Sequence, residues 1–147
     1  MMMTISVGRT MAVDPSVAWD LLVDTTRWSE WGPSVTAVDA PDVRLRAHST
    51  GRVRTAVGVW VPFTVSEFDD GRSWAWTVAG VTATTHTVEP APGGCRVTFG
   101  VPAVAAAYAL VCRVALRRIE RLALTASPNE TNLRLVEGPG HRNHGEP

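Results

Sequence analysis

Residues 103–124, AVAAAYALVCRVALRRIERLAL, decide the fold. Val104, Tyr108, Val111, Ala115, Ile119 and Leu122 recur at steps of three and four residues, while Arg113, Arg117, Glu120 and Arg121 fall on the opposite arc. That spacing predicts an amphipathic helix from about Ala103 to Leu124, with one face on an apolar partner and the other in water. Upstream, from Val35 to Val101, the period changes to two and is broken by turn residues, the pattern of consecutive antiparallel strands. Strands are expected at about 35–39, 52–58, 59–68, 73–79, 82–89 and 94–101. Asp69-Asp70-Gly71 and the stretch from Pro90 to Gly94 supply the clearest turns. The resulting sheet is the one partner large enough to receive the helix.

Further outward, Thr4 to Met11 reads as a first strand, and Asp14-Pro15 as a helix start in which Asp accepts from free amides and Pro takes the first helical position. That helix is expected to run to about Asp24 with Val17, Ala18, Leu21 and Leu22 inside and Asp20 and Asp24 outside. Thr25 is the expected cap of a second short helix carrying Trp28 and Trp31, which Gly32-Pro33 stops. Beyond Thr125, Pro, Gly, Asn and charge dominate, so the expected organisation is one domain over residues 1–124 and a flexible tail over 125–147. The predicted class is α+β: six or seven antiparallel strands in one curved sheet wrapped around a long C-terminal helix, with two short helices after the first strand.

Composition narrows the function classes. A chain of 147 residues builds one core, and 45% hydrophobic with 19% charged residues places it among ordinary globular proteins rather than disordered ones. Fourteen basic residues, all of them Arg, balance fourteen acidic ones, so no net field draws the molecule to nucleic acid and none is expected as a partner. Without lysine, Schiff-base and phosphate-loop lysine chemistry is excluded. Cys95 and Cys112 are too few for a disulfide scaffold and have no zinc-ligand spacing, which fits a reducing cytoplasm. The longest uncharged stretch, Val97 to Cys112, falls short of the ~18 apolar residues of a membrane span. No glycine-flanked serine elbow, H-E-x-x-H or glycine-rich phosphate loop occurs, so neither a metal nor a nucleotide cofactor is expected. Oligomeric state is not legible at this level.

The element order resembles the helix-grip fold of the START-like (SRPBCC) superfamily, which includes pollen allergens and the polyketide cyclase/dehydrase family. Asp14-Pro15-Ser16-Val17-Ala18-Trp19-Asp20-Leu21-Leu22-Val23-Asp24 looks like that family's first helix, and Trp28-Ser29-Glu30-Trp31-Gly32-Pro33 like its W-x-E-W-x-P turn. Gly51-Arg52-Val53-Arg54 resembles the opening of its third strand, and Gly94-Cys95-Arg96-Val97-Thr98-Phe99 its closing strand. The resemblance covers roughly residues 3–124. It implies a cavity between sheet and long helix, entered near the two short helices, and it leaves activity open because one such scaffold hosts enzymes, carriers and receptors.

Alternation says what lines that cavity. In the strand from Val59, the set Val59, Val61, Phe63, Val65 and Glu67 is the more apolar and is expected inward, as are Val53, Thr55 and Val57, Trp74, Trp76 and Val78, and Cys95, Val97 and Phe99. Arg52 and Arg54, a residue type that aromatase/cyclases of the family place in the pocket, are expected outward. The ligand-binding set is thus Trp28, Trp31, Phe63, Val65, Trp74, Trp76, Val97, Phe99, Tyr108 and Val111. Three groups can move a proton: His86, Glu67 and Tyr108. The face of His86 depends on the hairpin after Trp76. A two-residue turn puts it outside and a three-residue turn inside, and Gly80-Val81 does not decide. The leading expectation is a protein that encloses a small hydrophobic or aromatic molecule such as a polyketide, lipid or isoprenoid. The alternatives are a metal-free polyketide cyclase or dehydratase using the same cavity, and a regulator that binds a protein partner through the Arg-rich outer face of the last helix.

Overall fold

Period-two alternation and tight turns produce a continuous antiparallel sheet. The computed structural model describes residues 4–102 and 108–136. Its strands are β1 (Thr4–Met11), β2 (Val35–Asp39), β3 (Thr50–Thr55), β4 (Trp60–Asp69), β5 (Ser73–Val78), β6 (Val81–Ala91) and β7 (Gly94–Pro102). They form one curved sheet in the order β1-β7-β6-β5-β4-β3-β2. Between β1 and β2 lie α1 (Pro15–Val23), a 3₁₀ turn (Thr25–Arg27) and α2 (Trp28–Trp31), and the chain ends in α3 (Tyr108–Val136). This is the helix-grip architecture that the element order predicts.

Local chemistry explains the helical segments. Asp14 caps α1, accepting from the Ser16 amide at 2.9 Å and the Ser16 hydroxyl at 2.7 Å, and these bonds hold its carboxyl below the usual range. Asp24, rather than the expected Thr25, starts the 3₁₀ turn by accepting from the Thr26 amide at 3.0 Å. The Thr25 hydroxyl donates to the Val43 carbonyl at 2.7 Å instead, pinning the 40–50 segment, whose Leu45 is buried.

Among the described side chains of α3 the buried ones are Cys112, Ala115, Leu116, Ile119 and Ala123. The predicted stripe is right at Ala115 and Ile119 but slightly rotated, because Val111 and Leu122 are half-buried at its margin. Arg113, Arg117 and Arg121 are exposed as expected, while Glu120 takes an ion pair with Arg9 of β1 at 2.7 Å. The helix continues past the expected Leu124 to Val136. Ala103 and Val104, placed in its first turn from the sequence, lie outside the described residues, as do 137–147.

Two β-bulges reset which side chains face α3. One falls on β4 between Val65 and Glu67, which pair with Trp76 and Ala75 of β5. The extra residue flips the strand, so Phe63 and Val65 point into the core and Phe68 follows them, while Glu67 turns out to solvent. The second lies between β5 and β6, where Ala75 pairs with Thr85 but Thr77 with Thr82. The β5–β6 turn is the two-residue kind, Ala79-Gly80, with both residues at positive φ (53° and 78°) as such hairpins require. By itself that turn would leave His86 outside. The bulge adds one residue to β6 and turns Thr84, His86 and Val88 inward.

Gly51 of β3 sits where a side chain has no room. A Cβ there would sit 2.8 Å from Ala40 Cβ, the Asp39 carbonyl oxygen and the Phe63 ring at once.

Candidate ligand cavity

The inner face of the sheet is filled first by aromatic rings. Trp28 of α2 stacks on Trp74 of β5 with centroids 5.5 Å apart and planes 6° from parallel. Trp74 in turn stacks on His86 at 3.8 Å and 16°. Trp76 meets Trp28 edge-on at 5.3 Å and Phe63 is tilted against it at 5.5 Å, and Phe99 lies edge-on to His86 at 4.8 Å. The W-x-E-W segment supplies two of these rings for a backbone reason. The Trp28 and Trp31 indoles donate to the carbonyls of Leu22 (2.9 Å) and Leu21 (2.8 Å), two acceptors that the last turn of α1 leaves without helical partners.

This plug splits the space under α3 into two unequal parts. The inner chamber has a volume of about 30 Å³, enough for one small group. Trp28, Trp31, Trp74, His86, Phe99, Val111 and Cys112 are among the residues that line it. The outer cavity measures about 460 Å³ and is walled chiefly by Val53, Val61, Val78 and Val101, with Thr55 and Thr82. Ser34, Val35, Trp76, Thr84 and Tyr108 line both. Val57 and Val81 line the outer cavity although they are 85% and 67% exposed. The cavity therefore meets solvent beside the β3–β4 and β5–β6 hairpin tips, while Ser34 and Val35, just after α2, also line it.

The polar groups are few and mostly committed. The Trp76 indole donates to the Thr84 hydroxyl at 2.9 Å, and Thr84 Oγ1 lies 3.1 Å from His86 Nε2. His86 Nδ1 lies 3.2 Å from the Trp74 carbonyl oxygen, which can only accept. The proton therefore sits on Nδ1, Nε2 accepts from Thr84, and the imidazole is neutral with both nitrogens engaged. Burial pushes its pKa down to about 3 against a smaller upward pull from the Trp74 carbonyl. Burial also raises the Tyr108 phenol, partly offset by its bond to Ser34, and raises the Cys112 thiol to about 11. At neutral pH all three are uncharged.

The candidates from the sequence separate accordingly. Trp28, Trp31, Trp74, Phe99 and Val111 line the inner chamber only, Trp76 and Tyr108 line both spaces, and Phe63, Val65 and Val97 pack in the core beyond either lining. The β4 bulge corrects the reading of Glu67, which faces solvent and lines neither space. Val57 and Val59, expected inward, are exposed as well, because they flank the β3–β4 turn. Arg52 and Arg54 point outward as predicted, Arg52 pairing with Asp39 at 2.7 Å. Ser34 and Thr84 escaped the sequence reading. Ser34 follows a helix stop and has no periodic signal, and the face of Thr84 is set by the same bulge as that of His86. Among the described residues no group of His, Cys, Asp and Glu is arranged to hold a metal ion, both cysteines are free and buried, and no helix is long and apolar enough to cross a membrane.

Comparison with known proteins agrees with this architecture. A family model described as polyketide cyclase / dehydrase and lipid transport matches residues 2–126, and no curated protein sequence matches. Protein NE0264 from Nitrosomonas europaea is similar in structure, with 15% identity over 84% of this chain and 96% of its own and a TM-score of 0.65. Ara h 8.0201 has 13% identity over 85% and 99% at a TM-score of 0.66. The di-domain aromatase/cyclase StfQ of the steffimycin biosynthetic pathway has 11% identity over 86% of this chain and 52% of its own at 0.67. At such identities the structural likeness carries the fold alone, while the family match spans most of the sequence. The chain belongs to the polyketide cyclase / dehydrase and lipid transport family of the SRPBCC superfamily.

Proposed function

We propose that this protein binds a small, uncharged, predominantly apolar molecule in the outer cavity and does not transfer protons to or from it. The observation that carries this reading is the lining: an apolar-walled space of about 460 Å³ with no charged side chain among the described residues around it. Burying ligand surface there stabilises the complex at ~25 cal/mol per Å², whereas a charged ligand would lose its hydration without a counter-ion. His86, the best proton-transfer candidate in the sequence, has both nitrogens occupied and ionises only near pH 3. The family description supports ligand binding in general, and it equally names cyclase and dehydrase chemistry.

The test pairs binding with turnover. Titration with the neutral fluorophore N-phenyl-1-naphthylamine should show saturable binding that Val78→Phe, which fills the cavity, and Trp76→Ala, which strips its wall, both weaken. Glu67→Gln should leave it unchanged. On a poly-β-keto substrate neither the native protein nor His86→Gln should form product above background. A native protein that turns the substrate over, and a His86→Gln variant that loses ~10²-fold of that rate with binding intact, would establish the cyclase reading instead.

A further inference from the structure

We infer that the inner chamber receives the carbonyl oxygen of a ligand whose apolar body fills the outer cavity. This deepens the binding reading above and rests on it. The argument is an accounting of hydrogen-bond capacity around the chamber. Trp74 is 1% exposed, and its Nε1–H has no partner. Trp74 lines the inner chamber and not the outer cavity, so the chamber is the space from which an acceptor can reach it. A buried donor left unpaired is costly, and native interiors rarely tolerate one.

A second free donor lies at the boundary. Ser34 Oγ and Tyr108 OH are 2.5 Å apart, and either can donate to the other. Whichever does, the acceptor keeps its own O–H, and both residues line the chamber and the cavity. The neighbouring polar groups are already used: Trp76 on Thr84, Thr84 on His86, His86 on the Trp74 carbonyl. Among the described residues that line the chamber, the uncommitted N–H and O–H hydrogens are therefore one indole N–H and one hydroxyl, beside the Cys112 thiol, a weak donor. A carbonyl oxygen has two lone pairs and no proton of its own, so it can accept both. A carboxylate could accept too, but it would carry an unpaired charge into a lining with none. A ketone, aldehyde or ester carbonyl fits, at the leading end of an apolar body.

Three probes of similar shape test this by calorimetric titration of the intact protein: 2-acetylnaphthalene, its hydrocarbon counterpart 2-isopropylnaphthalene, and 2-naphthoate. The ketone should bind at least about tenfold more tightly than either of the others. Trp74→Phe, which keeps a ring and removes the N–H, should erase most of that preference while the hydrocarbon affinity stays within about threefold. Should Trp74→Phe not fold, the double variant Ser34→Ala/Tyr108→Phe removes the other donor and should likewise reduce the ketone preference. Equal affinity for ketone and hydrocarbon would overturn the inference, with a buried water as the acceptor of Trp74, and would leave the binding reading standing. Tighter binding of the naphthoate would overturn it as well. Binding of none of the three would overturn both.

Discussion

Acidification should destabilise this protein in large part through one residue. In the native state His86 is 2% exposed, stacked on Trp74 and held neutral with a pKa of about 3, whereas in the unfolded chain it ionises near 6.5. Between those values the unfolded state binds the proton and the native state does not. Stability therefore rises with pH through this window and is lost as pH falls from 6.5 toward 3. At 1.36 kcal/mol per pH unit the full loss is at most about 4–5 kcal/mol, comparable with the entire stability of many domains, roughly 5–15 kcal/mol. The assay is urea unfolding followed by Trp fluorescence at half-unit steps from pH 7.5 to 3.5, for the native protein and for His86→Gln. Gln cannot titrate, so its curve should lie lower at pH 7 by a constant packing and hydrogen-bond cost. It should then fall less steeply, and the gap between the two proteins should narrow by about 1.4 kcal/mol per pH unit below pH 6. Carboxylates such as Asp14, whose capping bonds lower its pKa, contribute equally to both curves and cancel in the difference. Parallel curves would show that His86 titrates alike in both states, and would refute both its neutrality and the inward turn of β6.

Three substitutions probe the architecture that holds the site. Ala115→Asp puts a carboxylate at the buried centre of α3 and should abolish the cooperative transition, whereas Arg117→Ala on the exposed arc should shift stability by less than ~0.5 kcal/mol, so similar urea midpoints would mean that α3 is rotated otherwise. Gly51→Ala forces a methyl to 2.8 Å from Asp39, Ala40 and Phe63, and thermal unfolding should register a loss of about 1–3 kcal/mol; an unchanged midpoint would show that β2 and β3 pack more loosely than described.

The family match supports the element order read from residues 3–124, and the reason is physical. The helical stripe through Ala115 and Ile119, the alternation along β7 and the Asp14-Pro15 cap are each set by neighbours within a few residues, so they are written in local sequence. The W-x-E-W segment was visible too, although its role was not. Its indoles cap carbonyls of α1, which requires α1 and α2 to be placed first.

What the chain alone determined was therefore the class, the strands, the grip of α3 and a greasy interior. Tertiary structure decided the rest. Two bulges, one extra residue each, turned Glu67 out and His86 in, and a bulge is fixed by pairing with another strand, so no periodicity within β4 or β6 announces it. The division of the interior was decided likewise, since the stack of Trp28, Trp74 and His86 fills what would be the deep end of one cavity. Volume is what remains after side chains from α2, β5 and β6 have packed, and that remainder is a property of the assembled set rather than of any one segment.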